Sequence, residues 1–130
     1  MERKKALIVD DEEVLTSILA LLLSEDSWEV EIAQDSYDAI DKLLAEEFDL
    51  FITDLQMPEL FGHRIWECVK NQKPDIKTKA IICSGRPGED GICNYKDYGF
   101  DGRLAKPYRV DELFELVHSI FTSELIEQGV

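Results

Sequence analysis

The sequence predicts an α/β fold built on one doubly wound parallel sheet. Two observations carry this. Five short β-rich runs alternate with helix-period segments along 130 residues, and several runs are continuously apolar, as strands covered on both faces must be. The first run, Ala6–Val9, reads Ala-Leu-Ile-Val and ends in Asp10-Asp11. A helical pattern over Glu12–Glu25 follows, with Leu15, Ile18, Leu19 and Leu22 spaced for one face and Glu12 and Glu13 as first-turn acids. The second run, Trp28–Ala33, sets Trp28, Val30 and Ile32 against Glu29 and Glu31, an alternation expected of an edge strand. Ser36 is expected to cap the next helix, Ser36–Glu46, which carries Ala39, Ile40, Leu43 and Leu44 inward. The third run, Asp49–Thr53, closes on Asp54, and Phe61–Asn71 then presents Ile65, Cys68 and Val69 on a helix. The fourth run, Ala80–Ser84, reads Ala-Ile-Ile-Cys before Ser84. After it, Pro87, Gly88 and Gly91 oppose helix formation and leave only a short helix around Ile92–Tyr98. The fifth run, Arg103–Ala105, stops at Lys106. Val110–Leu125 closes the pattern with Leu113, Phe114, Val117, Ile120 and Phe121, and with Asp111 and Glu112 at the positive end of its dipole.

The length suits one domain, 1–130, without repeat or linker. Hydrophobic residues at 45% and charged residues at 32% supply both a core and a solvated surface. A net charge of −14 disfavours nucleic acid or an anionic membrane as a partner of this domain. Ala6–Val9 is too short for a signal-peptide core, and no run approaches the ~20 apolar residues of a membrane span. Cys68, Cys83 and Cys93 lack metal-ligand spacing and read as reduced thiols, which predicts a cytoplasmic protein.

In a doubly wound sheet, functional groups gather beyond the carboxyl ends of the strands. Asp10-Asp11, Asp54, Ser84 and Lys106 all fall there. Each alone is an ordinary turn or capping residue, but together on one sheet edge they form a site. Converging carboxylates repel one another, and a hard divalent cation such as Mg²⁺ relieves that repulsion through oxygen ligands. A carboxylate is also a competent nucleophile toward phosphorus. A lysine can neutralise phosphoryl oxygens, and a serine hydroxyl can donate to one of them.

On the ordered set Asp10-Asp11, Asp54, Met57-Pro58 with Gly62, Ser84-Gly85 and Lys106-Pro107, the sequence resembles the receiver domains of two-component response regulators over its full length. The resemblance implies a flavodoxin-like receiver fold with strand order 2-1-3-4-5 and helices on both faces. It implies Asp54 as phosphoacceptor and Asp11 as a direct metal ligand. Asp10 would bind Mg²⁺ directly or through water, and the Gln56 carbonyl would complete the site with Asp54. Lys106 would pair with the phosphoryl group next to a cis Lys106-Pro107 peptide, and Ser84 would be the switch hydroxyl. The implied partner is a sensor histidine kinase or a histidine phosphotransfer domain. The implied function is a phosphorylation switch that shifts the 84–109 face, assisting its own phosphorylation and dephosphorylation but not acting as an enzyme on other substrates. Tyr98-Gly99-Phe100-Asp101-Gly102 and Ala105-Lys106-Pro107-Tyr108 are similar to receivers of hybrid sensor histidine kinases, in which the parent protein would be a kinase.

Some residues depart from that pattern. The best-known receivers carry a Tyr or Phe three residues before the lysine, whose ring turns inward as the switch hydroxyl moves; here that position is Arg103, expected at the surface either as a solvated strand residue or in contact with a partner. The loop Arg86–Gly91 beside Ser84 is expected to gain order on phosphorylation. His63 and His118 read as surface or partly packed side chains, and Trp28, Trp66 and Phe61 as packing residues. Two other functional classes compete. An aspartate-nucleophile phosphohydrolase needs an acid/base aspartate two residues after the nucleophile, where Gln56 stands and cannot exchange protons. A phosphorylation-independent interaction module has no need of the acidic pair, Asp54 and Lys106. No GxGxxG follows the first strand, which argues against nucleotide or flavin binding.

Overall fold

The computed structural model describes residues 4–10, 13–25, 28–85, 95–106 and 108–127, with the backbone alone for 13–15 and 123–127. Five parallel strands, β1 (Lys4–Val9), β2 (Trp28–Ala33), β3 (Leu50–Asp54), β4 (Lys79–Ser84) and β5 (Gly102–Ala105), form one sheet in the order β2-β1-β3-β4-β5. The connections carry α1 (Glu13–Glu25), α2 (Ser36–Ala45), α3 (Gly62–Gln72), a 3₁₀ turn (Tyr95–Tyr98) and α4 (Val110–Glu127). The class, strand order and helix placement are those expected from the sequence.

β3 shows why the apolar runs become central strands. All five of its residues are buried, because successive side chains point into opposite layers. Leu50 and Ile52 join Leu19, Leu23, Leu113 and Val117 under α1 and α4. Phe51 joins Leu43, Ile65, Trp66 and Val69 under α2 and α3. Each such side chain contributes about 1.5–3 kcal/mol when fully buried, so the two layers clamp the middle of the sheet. β2 is an edge strand, but its alternation is only partly realised: Trp28 is buried whereas Ile32 is 41% exposed.

Three local expectations are corrected. The inward stripe of α1 is Thr16, Leu19 and Leu23, while Ile18 and Leu21 are 49% and 62% exposed and Leu22 is half-buried. Apolar residues nearly encircle this helix, so helical period alone does not select the buried face. Thr16 is admitted because its hydroxyl donates to the Asp10 carbonyl at 3.5 Å. The cap of α2 is Asp35, whose carboxylate accepts from Asp38 N at 2.8 Å; Ser36 lies inside the helix. The Ser36 hydroxyl instead donates to the Leu60 carbonyl at 2.9 Å, tying α2 to the loop before α3. The short element near residue 95 is 3₁₀, and the 92–94 start expected for it lies outside the described residues. So do Asp11, Glu12, the Arg86–Gly91 loop, Cys93 and Pro107 with its expected cis bond.

Candidate functional site

Asp54 is the last residue of β3 and is only 4% exposed. Register fixes what surrounds it. Val9 pairs with Thr53, which brings Asp10 to the level of Asp54 on one side. Asp54 pairs with Cys83, and Ser84 with Ala105, which brings Ser84 and Lys106 to that level on the other. Backbone bonds extend the ladder past the strands, Leu55 N to Cys83 O at 2.9 Å and Lys106 N to Ser84 O at 2.8 Å. The Lys106 ammonium crosses β4 and donates to Asp54 Oδ2 at 2.7 Å. Gln56 N makes a long contact to Asp54 Oδ1 at 3.4 Å.

The backbone of Asp54 is held as firmly as its side chain. Thr53 Oγ1 donates to the Asp54 carbonyl at 2.9 Å, and Gly62 N donates to the Leu55 carbonyl at 3.0 Å. Gly62 comes so close that a Cβ there would sit 2.4 Å from the Asp54 carbonyl oxygen. That close approach is why the chain needs glycine here.

The electrostatics follow from burial and partners. Burial works against the Lys106 charge, but the Asp54 hydrogen bond and the charges of Asp54 and Asp10 outweigh it and raise the lysine pKa. The ammonium is therefore permanent at neutral pH. Burial pushes the Cys83 thiol up to about 12, and the Asp54 charge adds to this, so Cys83 is a neutral packing residue.

Of the four expected metal ligands, Asp10 and Asp54 are buried at adjacent strand ends, Gln56 is exposed just beyond them, and Asp11 lies outside the described residues. Among the described residues no group of three or more His, Cys, Asp or Glu is placed to hold a metal ion. Mg²⁺ needs only one or two carboxylates when waters and a phosphate complete its shell, so a buried pair of hard oxygen donors fits it.

Ser84 is 3% exposed, and its hydroxyl is engaged in a way the sequence did not suggest. Arg103 Nε donates to Ser84 Oγ at 2.8 Å, and Arg103 Nη2 donates to the Gly85 carbonyl. Arg103 is thus half-buried against β4 and not a free surface cation, because two acceptors at the end of β4 match its donor fork. Its register with Ile82 places it on the same face as Ser84. His63 is more buried than expected, stacked on Phe61 at 6.0 Å and edge-on to Tyr98 at 4.9 Å. Its Nδ1 has no hydrogen-bond partner among the described residues, and burial together with the Arg64 charge lowers its pKa. Trp28 and Trp66 are core residues, whereas Phe61 is 50% exposed and His118 is at the surface.

Residues 6–118 match the family model of the response regulator receiver domain. The chain belongs to that family. Its function is phosphorylation-dependent switching in two-component signalling, in which receivers are phosphorylated by histidine kinases. Response regulator ArlR of Staphylococcus haemolyticus is 32% identical over 114 residues, covering 88% of this chain and 51% of ArlR. The receiver therefore spans about half the length of the curated relatives it matches. A CheY-like receiver domain protein from Methanospirillum hungatei superposes with a TM-score of 0.85 at 25% identity, covering 97% of this chain and 99% of that one. The response regulator TrrA of Thermotoga maritima, solved in complex with Mg²⁺-BeF, gives 0.76 at 26% identity, covering 90% and 98%. Among the described residues no helix is long and apolar enough to cross a membrane.

Proposed function

We propose that Asp54 accepts a phosphoryl group from the phosphohistidine of a histidine kinase or histidine phosphotransfer domain. The observation that carries this reading is the buried Asp54 carboxylate at the end of the central strand, bound at 2.7 Å by the Lys106 ammonium from just beyond β5. A carboxylate oxygen forms the new bond to phosphorus as the phosphorus–nitrogen bond to the donor imidazole breaks, and the imidazole leaves with that electron pair. Lys106 offsets the phosphoryl charge throughout, and Ser84 can donate its hydroxyl proton to a phosphoryl oxygen of the product. Asp10, Asp11, Asp54 and the Gln56 carbonyl would hold Mg²⁺, which when bound neutralises carboxylate and phosphoryl oxygens. The consequence is a shift in the population of the 84–109 face.

The domain, spanning 1–130, is the phosphoacceptor and turns over no external substrate, since Gln56 offers no acid/base group beside Asp54. A cytoplasmic setting agrees with cysteines read as reduced, and protein partners in place of nucleic acid or membrane agree with the −14 charge. Both a free-standing regulator and the receiver of a hybrid kinase fit the sequence around Tyr98–Tyr108.

Incubation with Mg²⁺ and a small acyl- or amido-phosphate donor tests the assignment by intact mass. One added phosphoryl group is expected in the wild type and none in Asp54→Asn. Labelling that survives the substitution would overturn it.

A further inference from the structure

We propose that Arg103 is a positioning residue for the switch: its guanidinium holds the Ser84 hydroxyl toward β5, and phosphorylation of Asp54 must break this latch. The inference rests on the reading of Asp54 as the phosphoryl acceptor.

The sheet order supplies the geometry. β4 lies between β3, which carries Asp54, and β5, which carries Arg103. Ser84, at the end of β4, therefore has the acceptor on one side and the guanidinium on the other. Its Oγ sits 2.8 Å from Arg103 Nε, so in this state the hydroxyl leans toward β5. The second arm of the fork, Nη2 to the Gly85 carbonyl, anchors the guanidinium on the backbone right after Ser84. Two bonds to successive residues fix the guanidinium plane more firmly than one bond to a rotatable hydroxyl would.

The hydrogen-bond inventory sets the direction of change. Guanidinium has donors only, so Ser84 Oγ receives a bond from Arg103 and cannot give one back. Its own proton remains available for an acceptor elsewhere, and a phosphoryl group on Asp54 presents strong acceptor oxygens. To reach them the Ser84 side chain turns from the β5 side to the β3 side, moving between staggered wells. That turn removes the Nε partner. Arg103 then keeps only the Gly85 carbonyl, and the end of β5 loses one of its ties to β4. The energy of the Arg103–Ser84 bond is therefore subtracted from phosphoryl-group binding, and its release makes Arg103 a place where the phosphorylated state differs.

Binding of Mg²⁺ and beryllofluoride, a phosphoryl mimic, tests this by titration in the wild type, Arg103→Met, Ser84→Ala and the double variant. Arg103→Met is expected to tighten binding by about three- to tenfold, the worth of one net hydrogen bond. In the Ser84→Ala background the same change should have no effect, since the hydroxyl being restrained is gone. In the wild type, the Arg103 Nε–H resonance should lose its hydrogen-bonded shift and its protection from exchange on saturation. Wild-type binding that Arg103→Met leaves unchanged or weakens, or a resonance that does not move on saturation, would overturn the latch alone. Failure of the wild type to bind at all, or equal binding by Asp54→Asn, would overturn the Asp54 reading along with it.

Discussion

Lys106 Nζ lies 2.7 Å from Asp54 Oδ2, joining residues 52 positions apart over the end of the strand between them. The aspartate side chain is almost fully buried and the lysine side chain 29% exposed. Removing the lysine leaves Asp54 Oδ2 without its bond and two carboxylates, Asp10 and Asp54, without the cation that faces them. Lys106→Met is therefore expected to destabilise the domain by about 1–3 kcal/mol, the partial exposure of the lysine side chain keeping the cost below that of a wholly buried pair. Added Mg²⁺ should restore more stability to this variant than to the wild type. Urea denaturation with and without Mg²⁺ measures both, and a Lys106→Met midpoint equal to that of the wild type would refute the pairing.

Gly62 has no room for a side chain. A Cβ would meet the Asp54 carbonyl at 2.4 Å and the Thr53 side chain at 3.0 Å, and the nearest of these atoms is backbone that cannot swing aside. Gly62→Ala should cost about 1–3 kcal/mol through forced displacement. The displaced segment carries the acceptor itself, so phosphoryl uptake by Asp54 should fall as well. A variant of wild-type stability and labelling rate would show that this close approach does not hold the acceptor.

The convergence of the candidate residues was legible in the sequence because each central strand is an apolar run stopped by a polar residue, and a parallel sheet brings those stops to one edge. Asp10, Asp54, Ser84 and Lys106 could be named for that reason alone. What was not legible depended on competition among neighbours. Asp35 and Ser36 are both good caps, and only the position of the Leu60 carbonyl decides that Ser36 is used elsewhere. Arg103 could not be assigned a partner because its two acceptors, Ser84 Oγ and the Gly85 carbonyl, meet it only once β4 and β5 are in register. His63 gave no sign of burial, since the rings that cover it come from residues 61 and 98.

The buried face of α1 leads to a paired test. Leu23 is fully buried among Leu19, Trp28 and Leu50, whereas Leu21 is 62% exposed. Leu23→Ala should cost about 2–5 kcal/mol, as deletion of a core leucine does. Leu21→Ala should stay within about 0.5 kcal/mol of the wild type. Equal losses at the two positions, read from denaturation midpoints, would mean that the helix is rotated from the orientation described.

His63 is expected to make the stability of the domain pH-dependent. Its ring lies between Phe61 and Tyr98, with Nδ1 unpartnered among the described residues, and burial, reinforced by Arg64 and partly opposed by Glu67, depresses its pKa below the usual 6.5. The unfolded chain therefore binds a proton at pH values where the folded chain does not. Stability owed to the neutral ring is fully present above about pH 6.5 and is lost as the pH falls toward the folded-state pKa, with a slope no steeper than about 1.4 kcal/mol per pH unit. His63→Phe keeps a ring between the two neighbours and removes the titration. The stability difference between variant and wild type should be constant above about pH 7 and should grow in favour of the variant at lower pH. Denaturant unfolding of both proteins between about pH 7.5 and 5.5 measures it. A difference that does not change over that range would mean that His63 titrates alike in the folded and unfolded chains, and that its burial places no cost on the charged ring.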